Sequence, residues 1–306
     1  MPIPVHPVLQ LLAGRAHGEK DEQTLALAIE GGGMAGAVSA GMCVELESRG
    51  LVNHFDLIIG SSAGSLNGSY SACGQAKQGA ANYLSSASPS FISFRNLLRK
   101  RPFMHMPYLF EHLIDNNPYL SEQLSTGFRC LSCSLDRRPG SQLVALQDFK
   151  DQQELRTAVQ ASCHLPVLCG SPPVIEGERM IDGGLLESIP YLSAIEMGAT
   201  HVLVLRSYSK ARVKSAYGKI SLAAVDKVCP QALQLVEDRP ALYNLHSSRL
   251  QSEESSILQI APRQDLCTSF ERSSVKLSLA MKAGAEQAAQ ILQSQTSGSG
   301  GSGRLN

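Results

Sequence analysis

Gly60-Ser61-Ser62-Ala63-Gly64 constrains this chain more than any other stretch, because it is a G-x-S-x-G placed between a strand and a helix. Residues 55–59, Phe-Asp-Leu-Ile-Ile, form a short apolar run of strand character, and the small residues of 64–73 suit a helix. Glycines at both ends permit a strained turn that lifts the central hydroxyl, that of Ser62, clear of the backbone. The helix that follows turns its N-terminal amides and the positive end of its dipole toward that hydroxyl. Ser61 is adjacent but does not occupy the central position.

Two further glycine-rich turns accompany the elbow. Residues 24–29, Thr-Leu-Ala-Leu-Ala-Ile, read as a buried strand running into Glu30-Gly31-Gly32-Gly33-Met34-Ala35-Gly36, after which 37–49 reads as a helix closed by Gly50. Three successive glycines leave backbone N–H groups uncovered, a nest that suits a phosphate or an oxyanion. The run lacks the Gly-Lys-Ser/Thr of a nucleotide-binding P-loop and the spacing of G-x-G-x-x-G, which weakens a nucleotide reading. Farther on, Met180-Ile181-Asp182-Gly183-Gly184 ends another strand with a carboxylate on a glycine turn. Acyl transfer needs a nucleophile, a base and an oxyanion hole. The three loops offer Ser62, Asp182 and the amides of Gly31, Gly32 and Gly33 for those parts. An isolated Asp-Gly-Gly is ordinarily a turn cap and nothing more.

These motifs, in this order, resemble the patatin-like phospholipases, which carry a G-G-G-x-R/K-G loop, a G-x-S-x-G elbow and a later D-G-G/A turn. Here they are 31–36, 60–64 and Asp182-Gly183-Gly184, followed by Ile189-Pro190 as in bacterial patatin-like esterases, and the resemblance covers most of 24 to about 290. It implies a three-layer α/β/α fold around a mostly parallel sheet. It also implies a lipid acyl hydrolase with a Ser62–Asp182 dyad, no catalytic histidine, and an acyl-enzyme that water resolves with Asp182 again as base. Gly60, Gly64, Gly183 and Gly184 then serve as the elbow and turn glycines. The chain departs from the pattern at Ala35, where the family carries Arg or Lys. The glycine amides survive that change, but a guanidinium suited to an anionic head group is lost, which favours uncharged esters over phospholipids.

Two alternatives stand beside this. Ser62, Asp182 and then His201 or His246 follow the chain order of an α/β-hydrolase triad. Ala35 also fits an inert lipid-binding module of the same fold.

Strand and helix candidates alternate, as expected for a sheet covered on both faces. The strands are 25–30, 55–59, 128–135, 142–146, 179–181, 201–206 and 256–260; the helices are 37–49, 64–73, 152–162, 191–197, 231–250 and 274–292. Residues 1–20 read as an N-terminal arm, 21–293 as the hydrolase domain, and the Gly/Ser-rich 294–306 as a flexible tail. The chain of 306 residues has no net formal charge, so no global field draws it to nucleic acid. Its eight cysteines lie partly in apolar runs that read as core, and Cys130-x-x-Cys133 sits in a strand with no second pair, so neither metal nor cofactor is expected. No signal peptide and no apolar run long enough to span a membrane are found, which gives a cytoplasmic expectation. The stretch 91–110 mixes aromatic and aliphatic residues with Arg95, Arg99, Lys100 and Arg101. Such a segment suits a membrane surface or the rim of an acyl groove, although a solvated surface helix looks the same.

Overall fold

The computed structural model describes residues 5–114, 127–252 and 255–293. In chain order its elements are α1 (Pro7–Ala16), β1 (Leu25–Ile29), α2 (Ala37–Ser48), β2 (Leu57–Ser61), α3 (Ala63–Ala72), α4 (Ala76–Ser86) and α5 (Phe94–Leu98). There follow β3 (Phe128–Ser134), β4 (Leu143–Leu146), α6 (Gln152–Ser162), β5 (Val174–Ile175), β6 (Glu178–Asp182) and α7 (Tyr191–Glu196). The chain continues through β7 (His201–Leu205), α8 (Lys219–Val228), α9 (Leu233–Ser252), β8 (Ile257–Ile260) and α10 (Ser274–Gln293).

The strands form one sheet in the order β5-β6-β3-β2-β1-β7-β8, with β4 paired to β3. Pairing is parallel from β3 through β8 and antiparallel where β6 and β4 meet β3. The central strands are continuous apolar runs because helices cover both faces. In β1, Leu25, Leu27 and Ile29 enter one core with residues of α1, α2, α3, α4, α6 and α10. Ala26 and Ala28 face a second core with Tyr191 and Ala194 of α7 and Tyr243 and Leu250 of α9. The period-two alternation of a strand thus divides the molecule into the three layers of an α/β/α fold.

Register fixes where the motifs meet. Ile29 pairs with Gly60 and Ser61 with Leu131, while the next residue of β3, Ser132, pairs with Asp182. The ends of β1, β2 and β6 therefore lie at one edge of the sheet, and the loops that follow them are neighbours.

Two expectations need correction. Residues 7–16 are no arm: they form α1, whose Val8, Leu9 and Leu12 are buried in the larger core. The stretch after Ser93 holds only the five-residue α5 before the chain returns through Met104. The tail 294–306 lies outside the described residues. On the outer layer, α2 and α10 touch backbone to backbone. A Cβ at Gly41 would fall on the Met281 carbonyl oxygen, and one at Gly284 on that of Val38.

Candidate active site

Ser62 is the single residue between β2 and α3 and has φ 55° and ψ −127°. That conformation is costly for a residue with a Cβ, on the order of 1–3 kcal/mol, and persists only where neighbours enforce it. The enforcement is visible. A Cβ at Gly60 would strike the Gly64 carbonyl, and one at Gly64 would strike that of Ile29, so β1, β2 and the first turn of α3 are packed closer than any side chain allows. The Ser62 amide donates to Ser162 Oγ at 2.9 Å. Ser162, the last residue of α6, donates in turn to the Leu131 carbonyl at 2.5 Å and shares a 2.8 Å hydrogen bond with Ser65 Oγ.

Ser62 Oγ donates to Asp182 Oδ2 at 2.6 Å. Asp182 is buried, its Oδ1 accepts the Gly184 amide at 2.7 Å, and its own amide donates to the His164 carbonyl at 2.9 Å. Burial pushes its carboxyl above the ordinary aspartate value of 3.8, while the Arg239 guanidinium and the hydrogen bonds from Ser62 and Gly184 pull the other way. A Cβ at Gly183 would fall on the Leu131 carbonyl oxygen, so the turn that aims Asp182 closes only with glycine there.

The glycine loop contributes less uniformly than its sequence suggests. The Gly31 amide donates to the Ser188 carbonyl at 2.9 Å and so is already committed. Among the described residues the amides of Gly32, Gly33 and Ala63 have no such partner, and Ala63 opens α3. Gly33 has φ +58°, the left-handed region where glycine is at ease. Beneath the loop, Glu30 is fully buried and receives Arg206 Nε, the Ser207 amide and Tyr243 Oη, each at 2.8 Å. Tyr208 Oη donates to the Gly32 carbonyl at 3.2 Å. The loop is therefore tied to β7 and α9 as well as to β1.

Ala35 is fully buried in the larger core, so a larger side chain at this position has to displace neighbours. An apolar pocket opens at Ser62, lined by Met34, Leu66, Phe91, Met104, Met106 and Leu109 among others. Phe91 and Met104 thus belong to the pocket, whereas Phe94, Leu97 and Leu98 stand exposed beside Arg95, Arg99, Lys100 and Arg101. Phe94 packs against Phe103, and Phe103 against the partly exposed Phe270, extending the apolar rim.

The structure does not bring the histidine candidates to this edge. His201 pairs with Leu25 at the start of β7, four residues before the end of the strand that reaches the site. His246 lies in α9, and the Ser62 hydroxyl proton already has its acceptor in Asp182. Cys130 and Cys133 are buried and unbridged, with burial pushing the Cys130 thiol up to about 12. The described residues contain no cluster of three or more potential metal ligands.

The profile of the family described as Patatin-like phospholipase matches residues 27–195. The chain belongs to the patatin-like phospholipase family. Among its relatives is the uncharacterized protein YjjU of Escherichia coli strain K12, 28% identical over 193 residues, spanning 60% of this chain and 52% of that one. The human patatin-like phospholipase domain-containing protein 5 is 27% identical over 168 residues, 54% of this chain and 39% of its own length. The chain thus spans about half or less of these curated relatives. VipD from Legionella pneumophila superimposes with a TM-score of 0.48 at 16% identity, over 90% of this chain and 67% of that chain. Within this patatin-like site, Ser162, Glu30 and Arg239 were not foreseen from sequence. Glu30 had one available signal: a polar residue directly after an apolar, buried strand.

Proposed function

We propose that the chain is a serine acyl-ester hydrolase acting on lipids through Ser62 and Asp182. The observation that carries this reading is the 2.6 Å hydrogen bond from Ser62 Oγ to Asp182 Oδ2 at a strained, enforced elbow. Ser62 Oγ attacks the ester carbonyl carbon while its proton passes to Asp182 Oδ2. The tetrahedral oxyanion faces the free amides of Gly32, Gly33 and Ala63, where fixed donors stabilise developing charge without reorganising. Collapse breaks the ester C–O bond, and the departing alkoxide takes the proton from Asp182. Water then attacks the acyl-enzyme with Asp182 as base, the carboxylic acid leaves, and Ser62 recovers its proton.

The acyl chain occupies the apolar pocket beside Ser62. Residues 91–110 serve as a peripheral contact with a lipid surface at the pocket rim, since exposed Phe94, Leu97 and Leu98 accompany four cations there. No helix among the described residues is long and apolar enough to cross a membrane. The proposed hydrolase unit takes in both α1 and α10, which pack into the same core, and the proposed enzyme is cytoplasmic and visits the interface.

A fluorophosphonate probe with an alkyl chain tests the assignment. The native protein and Ser61→Ala are expected to be labelled, and Ser62→Ala, folded by circular dichroism, is expected to be unlabelled and without esterase activity. Labelling of folded Ser62→Ala overturns the reading.

A further inference from the structure

A serine hydrolase without a catalytic histidine asks much of its one base, because Asp182 has to stay a carboxylate while enclosed by protein. It is 1% exposed, and an ionised carboxyl taken out of water is costly unless charge or hydrogen bonds support it. Ser62 Oγ at 2.6 Å and the Gly184 amide at 2.7 Å supply two hydrogen bonds. Further support comes from α9, through a side chain that takes no part in the bond-making steps.

Arg239 of α9 donates from Nε to the Gly184 carbonyl at 3.1 Å and from Nη1 to Tyr217 Oη at 2.8 Å. Gly184 is thus gripped on both sides. Its amide holds Asp182, while its carbonyl accepts the guanidinium and also Ser188 Oγ at 2.7 Å. Ser188 in turn offers its own carbonyl to the Gly31 amide at 2.9 Å. One guanidinium therefore sits at the turn that joins the base to the glycine loop. The fit is close, since a Cβ at Gly184 would stand 2.9 Å from Asp182 Oδ1.

Other titratable groups face Asp182 from the surrounding elements. Burial raises the thiols of Cys130 and Cys133 on β3 and of Cys163 and Cys169 after α6, Cys130 and Cys169 to about 12, so all four stay neutral. Burial also lowers His164, whose carbonyl takes the Asp182 amide. Lys214, between β7 and α8, is pushed well below its ordinary value by burial first and by the Arg239 charge second. Arg239 differs from all of these. Burial opposes its charge too, but a guanidinium remains protonated across the working range. It is the cation that persists beside Asp182, and its attraction favours the carboxylate over the acid. We propose that Arg239 is a positioning residue of the dyad: it fixes the Gly184 turn against Asp182 and supplies, from α9, the positive charge that keeps this base ready to take the Ser62 proton. Base and glycine loop then share one clamp, because Ser188 engages both Gly184 and Gly31.

The assignment rests on the hydrolase reading, and the experiment keeps the two apart. The rate constant for labelling by an alkyl fluorophosphonate, and kcat and KM on a soluble short-chain ester, are followed from acidic to neutral pH. The native protein is compared with Arg239→Gln and Arg239→Lys. A native protein that neither labels nor hydrolyses overturns the hydrolase reading, and this assignment with it. Gln keeps a donor for the Gly184 carbonyl without the charge, whereas Lys keeps the charge without the fork. Losing a neighbouring cation raises a carboxyl's pKa, so the acidic limb of Arg239→Gln is expected to move to higher pH by about one pH unit. Its kcat on that limb falls with KM little changed, and Arg239→Lys keeps the limb near its native place. A folded, labelled Arg239→Gln with an unmoved limb overturns the assignment, even if stability is lost. Where Arg239→Gln does not fold, Tyr217→Phe decides, since it releases the guanidinium without removing it. A limb displaced upward with kcat lowered is then expected, and a native limb and kcat overturn the assignment.

Discussion

Ser162 Oγ accepts the backbone amide of Ser62 at 2.9 Å, across 100 residues of sequence, and donates its own proton to Leu131 of β3. The backbone of Ser62, the nucleophile in the proposed reaction, is therefore held by a hydroxyl from the end of α6 and not by its own turn alone. Three elements, β2, β3 and α6, converge on one serine that does no chemistry itself.

Ser162→Ala tests that relationship. The Ser62 amide loses its buried acceptor, which costs about 1–3 kcal/mol when no replacement forms. We expect lower thermal stability together with a kcat reduced about tenfold or more and KM little changed, since Ser162 acts through the position of Ser62 and touches no substrate. Stability lost with kcat intact would make Ser162 structural only.

Asp182→Asn keeps the shape and removes the base. Turnover is expected to fall by at least about 10³-fold, measured as kcat on a soluble ester. In the native enzyme the pH profile follows the carboxylate form of Asp182. Because burial raises its pKa above 3.8, activity falls as pH drops through that raised value. The acidic limb of kcat/KM therefore lies higher than an exposed aspartate would place it. A near-normal rate for Asp182→Asn at neutral pH sinks the dyad.

The rim beside the pocket predicts interfacial binding. Phe94 and Leu98 are 77% and 87% exposed, and burying such a side chain in an apolar phase is worth about 1.5–3 kcal/mol. The double variant Phe94→Asp/Leu98→Asp is expected to lose sedimentation with phosphatidylglycerol vesicles by tenfold or more. Hydrolysis of vesicle lipid falls in parallel, more than hydrolysis of a dispersed short-chain ester. Unchanged sedimentation would reduce this rim to ordinary surface.

Arg206→Met isolates the pairing beneath the glycine loop. Glu30 and Arg206 are both fully buried, so removing one partner leaves an uncompensated charge and costs about 3–5 kcal/mol. Chemical denaturation is expected to show a midpoint shifted accordingly. A variant as stable as the native chain would mean that the pair contributes nothing to stability.

The parts legible in the sequence were those written locally. Residues 25–29 and 202–205 are apolar on both faces and so read as central strands, and the glycines flanking Ser62 and following Asp182 mark turns that other residues cannot make. α1 was missed although Val8, Leu9 and Leu12 have helical spacing, because ten residues after two prolines look too short to dock. Which glycine amide is free was not legible at all: Gly31 is committed only because folding delivers the Ser188 carbonyl to it. Ser162, Lys214 and Arg239 carry no local signature, since each acquires its partners from elements distant in the chain.

The pair Glu30–Arg206 joins residues 176 positions apart, and β1 is likewise unpaired on one side until β7 exists. At roughly 5–20 residues per second of synthesis, the ribosome needs on the order of ten seconds or more to deliver that second edge. Throughout that interval the strand leading into the glycine loop has one open edge, and Glu30 has no cation to meet. The glycine loop beside Ser62 therefore cannot reach its final setting on a nascent chain that has yet to make β7, and an apolar strand edge awaits either its own partner or a chaperone.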